Sequence, residues 1–132
     1  MNKQELCQKA VDMLEMAYVP YSHFPVGAAL ECDDGTVFTG CNIENAGYTP
    51  TNCAERTAVF KAVSEGHRKF TRIAVAATAD RFTAPCGVCR QVLAEFNPEL
   101  TMEVILVKTT GETLELTLKD LLPYSFDSSY LG

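Results

Sequence analysis

Val26-Gly27-Ala28-Ala29-Leu30-Glu31-Cys32, then Asp33-Asp34-Gly35, then Thr36-Val37-Phe38-Thr39-Gly40-Cys41-Asn42 run without a break. Apolar runs on either side of an Asp-Gly turn predict a β-hairpin, with strands over 26–32 and 36–42. Upstream, Leu6, Ala10, Met13, Leu14 and Ala17 recur at helical spacing, so a helix is expected over 3–17, and Pro20 forces its stop. Downstream, a loop through Gly47 and Pro50 leads to a second helix near 53–65, ended by Gly66. Phe70–Ala79, with Ile73 and Val75, is β-rich, and a third helix is expected from about Cys86 to Phe96, with Pro98 just past it. Val104–Val107 and Thr113–Thr117 flank a Thr110-Gly111 turn, and Leu118–Leu122 makes a short helical turn before Pro123. Helices that interrupt strands this often predict an α/β fold, a three-layer α-β-α sandwich around one mixed five-stranded sheet. Pattern alone leaves the strand directions at the C-terminal end open.

At 132 residues the chain is expected to be one catalytic domain, 1–132, able to bury a core without disulfide staples. Apolar residues at 47% and charged ones at 21% place it among ordinary globular proteins rather than disordered or fibrous chains. The net charge of −6 disfavours a phosphate polymer, so no nucleic-acid polymer is expected as a partner and a small neutral substrate suits the balance better. Met1-Asn2-Lys3-Gln4-Glu5 has no apolar signal-peptide core behind a basic start, and no stretch is apolar and long enough to cross a bilayer. No membrane partner and a cytoplasmic location are therefore expected, and there thiols stay reduced. Cys7, Cys32 and Cys41 lie in apolar or strand-like contexts and read as small core residues.

The other three cysteines fall in two clusters, Cys53-Ala54-Glu55 and Pro85-Cys86-Gly87-Val88-Cys89. Three thiolates can hold one zinc ion and leave its fourth tetrahedral position for water. Both clusters sit where helices should begin, and the positive end of a helix favours thiolate over thiol. Cys86 and Cys89, three apart on a helix, can face one metal. A closed structural site would recruit a fourth ligand, for which His23, His67 and Cys41 are the candidates, although neither histidine lies in a recurring ligand spacing. A cysteine or histidine, a non-ligating Glu two residues on, and a later P-C-x-x-C together match the signature of zinc deaminases.

Glu55 is then the proton shuttle: it takes a proton from the water, delivers it to a substrate ring nitrogen, and later moves one to the departing amino group. Three thiolates outweigh one divalent ion by a negative charge, which would weaken it as a Lewis acid. Arg56 is the natural group to withdraw that charge, with a guanidinium able to bond two thiolates, and Gln91 could fix the guanidinium. Asn42 and Glu44, alternate residues at a strand end, point to one side if the chain stays extended and could grip vicinal hydroxyls.

The chain strongly resembles the small, zinc-dependent, homotetrameric cytidine deaminases. The matching segments are Pro20–Leu30, Gly40–Ala46, Cys53-Ala54-Glu55-Arg56-Thr57-Ala58, Pro85–Leu93 and Leu121-Leu122-Pro123, in unbroken order over most of the chain. The resemblance implies a cytidine deaminase-like fold holding one Zn²⁺ per subunit on Cys53, Cys86 and Cys89, with Glu55 as the shuttle. It further implies that Asn42 and Glu44 hold the ribose, that Phe24 packs against the pyrimidine, and that Ala46 and Ala54 line the substrate site. Tyr48 and Phe126 look like the aromatics that neighbouring subunits place at the pocket. Ala84, where Ser often precedes P-C-x-x-C, and Val88, where Ala is common, depart from the family pattern but remove no ligand.

The expected activity is hydrolysis of cytidine and deoxycytidine to uridine and deoxyuridine with release of ammonia, in pyrimidine salvage. A sister deaminase acting on an antibiotic or another aminated base is the alternative enzyme. A non-catalytic zinc module for protein interaction is the alternative from another class; it would need a fourth protein ligand and would have no use for Glu55.

Overall fold

The computed structural model describes residues 1–78 and 80–132. The hairpin forms as its sequence predicts: β1 (Val26–Cys32) and β2 (Val37–Cys41) pair antiparallel, with Ala28 opposite Gly40 and Leu30 opposite Phe38. The turn between them needs a residue of positive φ and has Gly35 there, at 89°. The expected run Phe70–Ala79 becomes β3 (Phe70–Ala77), and Ala79 itself lies outside the described residues. With β4 (Glu103–Lys108) and β5 (Thr113–Thr117), the strands make one five-stranded sheet in the order β2-β1-β3-β4-β5.

The directions left open by pattern are now set. β3 and β4 run parallel, with Ile73 beside Val104 and Val75 beside Leu106, while β5 folds back antiparallel on β4. Two parallel strands require a crossover, and helix α3 (Gly87–Glu95) supplies it. Val104 and Leu106 face one side of the sheet and Ile105 and Val107 the other, and both sides are covered. A strand buried on both faces has no polar face to show, which is why β3 and β4 read as continuous apolar runs.

One face is covered by α1 (Lys3–Asp12), which buries Leu6, Cys7 and Ala10 against Ala29, Ala74 and Ile105. The opposite face carries α2 (Ala54–Ser64), α3 and the short α4 (Leu118–Leu121), with Ala58, Val59, Leu93 and Leu118 in one core with Leu30, Ile73 and Val104. This is the three-layer α-β-α arrangement. The first helix ends earlier than its apolar spacing suggests. Met13 N–H already bonds back to Ala10, and Met13–Met16 continue as a tighter 3₁₀ turn.

Gly40 fixes where α2 sits, and so where the site is built. A Cβ there would lie 2.3 Å from the Ala54 carbonyl and 2.6 Å from the Ala58 amide, so the first turn of α2 rests directly on the β2 backbone. At the far end of the sheet, Arg72 on β3 donates from Nε and Nη2 to the two Glu31 oxygens of β1, at 2.7 and 3.1 Å. Among the described residues no helix is long and apolar enough to cross a membrane.

Candidate active site

The N-termini of α2 and α3 meet on one face of the sheet. Cys53 is the N-cap of α2 and Cys86 the N-cap of α3, both with extended backbone and no side-chain capping bond. Their sulfurs are thus left beside the free N–H groups of two helix ends. Cys89 follows in the first turn of α3. The Cys53 and Cys86 sulfurs are 3.7 Å apart, and those of Cys86 and Cys89 3.5 Å. Zinc–sulfur bonds of about 2.3 Å at tetrahedral angles give sulfur separations of about 3.8 Å, so the three thiols fit one such ion.

Among the described residues no fourth Cys, His, Asp or Glu joins this trio. His23 and Cys41, possible closing ligands by sequence, are not in it, and His67 lies in a different group with Cys32 and Asp34. In that second group Asp34 is already taken up by the Thr36 amide and by His67 Nε2 at 3.2 Å, and burial pushes the Cys32 thiol up to about 11. The first group behaves in the opposite way. A proton shared with Cys89 draws the Cys53 thiol down to about 5, helped by Arg56, while Cys89 is pushed upward by Cys53 and by burial.

Arg56 Nη2 donates to Cys53 Sγ at 3.2 Å, as its place in the sequence suggests. The bond to Cys53, opposed by burial and helped by the charge on that sulfur, raises the proton affinity of the guanidinium. The expected support from Gln91 is not formed. Gln91 Nε2 donates instead to the Phe126 carbonyl at 2.9 Å, tying α3 to the C-terminal segment. Gln91 is exposed on α3, and a partner 35 residues away is beyond any local pattern.

Glu55 is 4% exposed. Burial pushes its carboxyl up to about 7, the Cys53 charge adds to the rise, and Arg56 opposes it. A carboxyl so placed can both take and give a proton near neutral pH. It lines a cleft of about 450 Å³ together with Cys53, Cys86, Ala54, Phe24, Asn42 and Glu44. Of the twelve other residues expected to form the site, these six share the cleft with Glu55, and Ala84 lines it as well. Cys89 lies beneath it, fully buried.

Asn42 and Glu44 reach this cleft already engaged. Asn42 Oδ1 accepts from the Val26 amide and its Nδ2 donates to the Phe24 carbonyl, both at 2.9 Å. Glu44 Oε1 accepts the amides of Tyr21 and Ser22 at 3.0 and 3.1 Å, and Oε2 accepts the Ser22 hydroxyl. Tyr48 lines a neighbouring cavity of about 410 Å³ that shares Ser22 and Glu44 with the cleft. Ala46 sits in the exposed turn before it. Phe126 lies outside the cleft, 55% exposed and stacked on Tyr130 with ring centres 5.2 Å apart.

Sequence reasoning passed over Ser22, Val26 and Thr83, which also line the cleft. For Ser22 a signal existed: a hydroxyl two residues before the Phe24 amide is a local side-chain turn, and that bond is present at 3.1 Å.

Three thiols spaced for one metal, no fourth protein ligand beside them among the described residues and a buried carboxyl in the same cleft define a metal-assisted hydrolase site on an α/β sheet. Comparison with known proteins narrows this. Residues 1–106 match the family model described as the cytidine and deoxycytidylate deaminase zinc-binding region. A cytidine deaminase of Sporosarcina psychrophila is 50% identical over 132 residues, covering 100% of this chain and 96% of that protein. One from Halalkalibacterium halodurans is 53% identical over 126 residues, covering 96% and 95%. The crystal structure of cytidine deaminase from Burkholderia pseudomallei superposes with a TM-score of 0.91 at 47% identity, covering 96% of this chain and 100% of that one. The chain belongs to the cytidine and deoxycytidylate deaminase family, whose domain is zinc-binding.

Proposed function

We propose that this protein is a cytidine deaminase: with water it converts cytidine and deoxycytidine to uridine and deoxyuridine and releases ammonia, in pyrimidine salvage. The observation that carries the proposal is the junction of the three-sulfur cluster with the buried Glu55 carboxyl in a cleft that also holds Asn42 and Glu44. Cys53, Cys86 and Cys89 would hold one zinc ion per subunit, which when bound would supply Lewis-acid activation of water. Glu55 takes up a proton from the attacking water and carries it to the pyrimidine ring nitrogen. It then takes the second proton from the hydroxyl newly bonded to the ring carbon and gives it to the amino group, which leaves as ammonia while that oxygen becomes the carbonyl. Its elevated proton affinity suits both transfers.

Arg56 draws negative charge from Cys53 through its bond to Sγ. Phe24 packs on the pyrimidine, Ala54 borders the base with its backbone, and Asn42 and Glu44 hold the sugar hydroxyls. Phe126 and Tyr48, exposed and outside the cleft of their own subunit, reach the pockets of neighbouring subunits in a homotetramer, with Ala46 at the same rim. Gln91 sets the place of Phe126 rather than that of Arg56. The 132 residues work as one catalytic domain on a small nucleoside, in the cytoplasm, with neither a nucleic-acid polymer nor a membrane as partner.

The test is turnover of cytidine by zinc-loaded protein, followed as loss of cytidine absorbance with matching ammonia. Activity that a strong chelator abolishes and zinc restores is expected. Stoichiometric zinc without turnover of either nucleoside would overturn the proposal.

A further inference from the structure

The Glu44 carboxylate can accept about four hydrogen bonds. Two are taken at Oε1 by the backbone amides of Tyr21 and Ser22. A third is taken at Oε2 by the Ser22 hydroxyl, which in turn accepts the Phe24 amide at 3.1 Å. One acceptor position is left, and it is on Oε2. The two backbone bonds fix where Glu44 is. They bond Oε1 alone; the one hydrogen bond the structure gives Oε2 comes from the Ser22 hydroxyl, which holds that second oxygen in place as a third restraint on the carboxylate.

We infer that Ser22 is a positioning residue for the sugar end of the substrate: its hydroxyl aims the last free acceptor of Glu44 into the cleft and links it to the Phe24 backbone. The inference rests on the reading of Glu44 as the acceptor of a sugar hydroxyl. Three observations support it. Ser22, Glu44 and Phe24 line the same cleft as Glu55. The Ser22 side chain is the foremost influence holding the Glu44 carboxyl below its ordinary range, and so ionised as an acceptor. Ser22 is also an exposed loop residue that contributes nothing to the core, so its bonds serve the site rather than the fold.

The test compares cytidine with 2′,3′-dideoxycytidine, which keeps the reacting base and lacks the hydroxyls that Glu44 would accept. Ser22→Ala is expected to raise KM for cytidine about ten-fold with kcat within about two-fold, the pattern of lost substrate binding rather than lost chemistry. On dideoxycytidine the same variant should lose less than about two-fold in kcat/KM, and Ser22→Thr, which keeps the hydroxyl, should restore the cytidine KM. An equal loss on both nucleosides would overturn the inference, since Ser22 would then act through Phe24 and the loop; so would no loss on either. Glu44→Gln separates the two levels. If it discriminates between the nucleosides and Ser22→Ala does not, the role of Ser22 alone fails. If Glu44→Gln costs both alike, the reading of Glu44 fails and takes the inference with it.

Discussion

Glu55→Gln probes the burial and the chemistry of the site together. In the unfolded chain this carboxyl ionises at the ordinary 4.5; in the folded protein burial raises that to about 7. Between those values the unfolded chain has lost a proton that the folded protein still binds, so stability falls as pH rises through the interval. Above pH 7 the penalty is complete. The difference of 7 − 4.5 at about 1.36 kcal/mol per pH unit makes it about 3 kcal/mol. A glutamine of the same shape carries no such term. In the metal-free protein the variant should therefore match the wild type in urea unfolding at pH 4.5 and below, and exceed it by up to about 3 kcal/mol at pH 8, at one protein concentration. Its turnover should fall by roughly 10²- to 10⁴-fold, the range for losing a positioned acid–base group, while zinc content stays at one per chain. A variant retaining more than about a tenth of wild-type turnover would remove Glu55 from the proton path. A variant less stable than wild type at pH 8 would show that the carboxyl is ionised and well paired in the folded protein, and would refute the burial argument.

Two further expectations test how the frame supports the site. Gly40→Ala puts a methyl 2.3 Å from the Ala54 carbonyl, so α2 must lift from β2. A loss of about 1–3 kcal/mol in urea unfolding and weakened zinc retention should follow, and an unchanged midpoint would contradict the close packing. Arg72→Met removes the two-point partner of the part-buried Glu31 carboxylate, leaving it the Thr71 hydroxyl and the N-terminal amine, and should cost about 1–3 kcal/mol at pH 7. Arg72 holds the Glu31 carboxyl below its ordinary 4.5, so this contribution is present above 4.5 and disappears as pH falls through the lowered value. A deficit that persists undiminished in acid would point to lost packing of the arginine stem instead.

The elements were legible because each is announced by neighbours in sequence. The Asp-Gly turn gave the hairpin, and the two cysteine clusters marked the starts of the second and third helices to within a residue. The three ligands and Glu55 were legible for a related reason: metal chemistry demands particular side chains at short spacings, and no bland role explains C-A-E followed by P-C-x-x-C. The early end of α1 was not, since apolar spacing continues through Met13 and Leu14 although the backbone has already tightened. Gln91 was assigned a partner by nearness along the chain, and the fold gave it the Phe126 carbonyl.

The sequence by itself determined the set of elements, the metal-binding thiols and the proton-transferring carboxyl, because short-range periodicity, turn chemistry and ligand spacing act within a few residues. Tertiary structure alone decided that β3 and β4 run parallel and that Ser22 and the Tyr21 amide clasp Glu44 from 22 and 23 residues away. Such pairings depend on which surfaces are buried together, and burial is set by the whole sheet and its covering helices, not by any local run of residues.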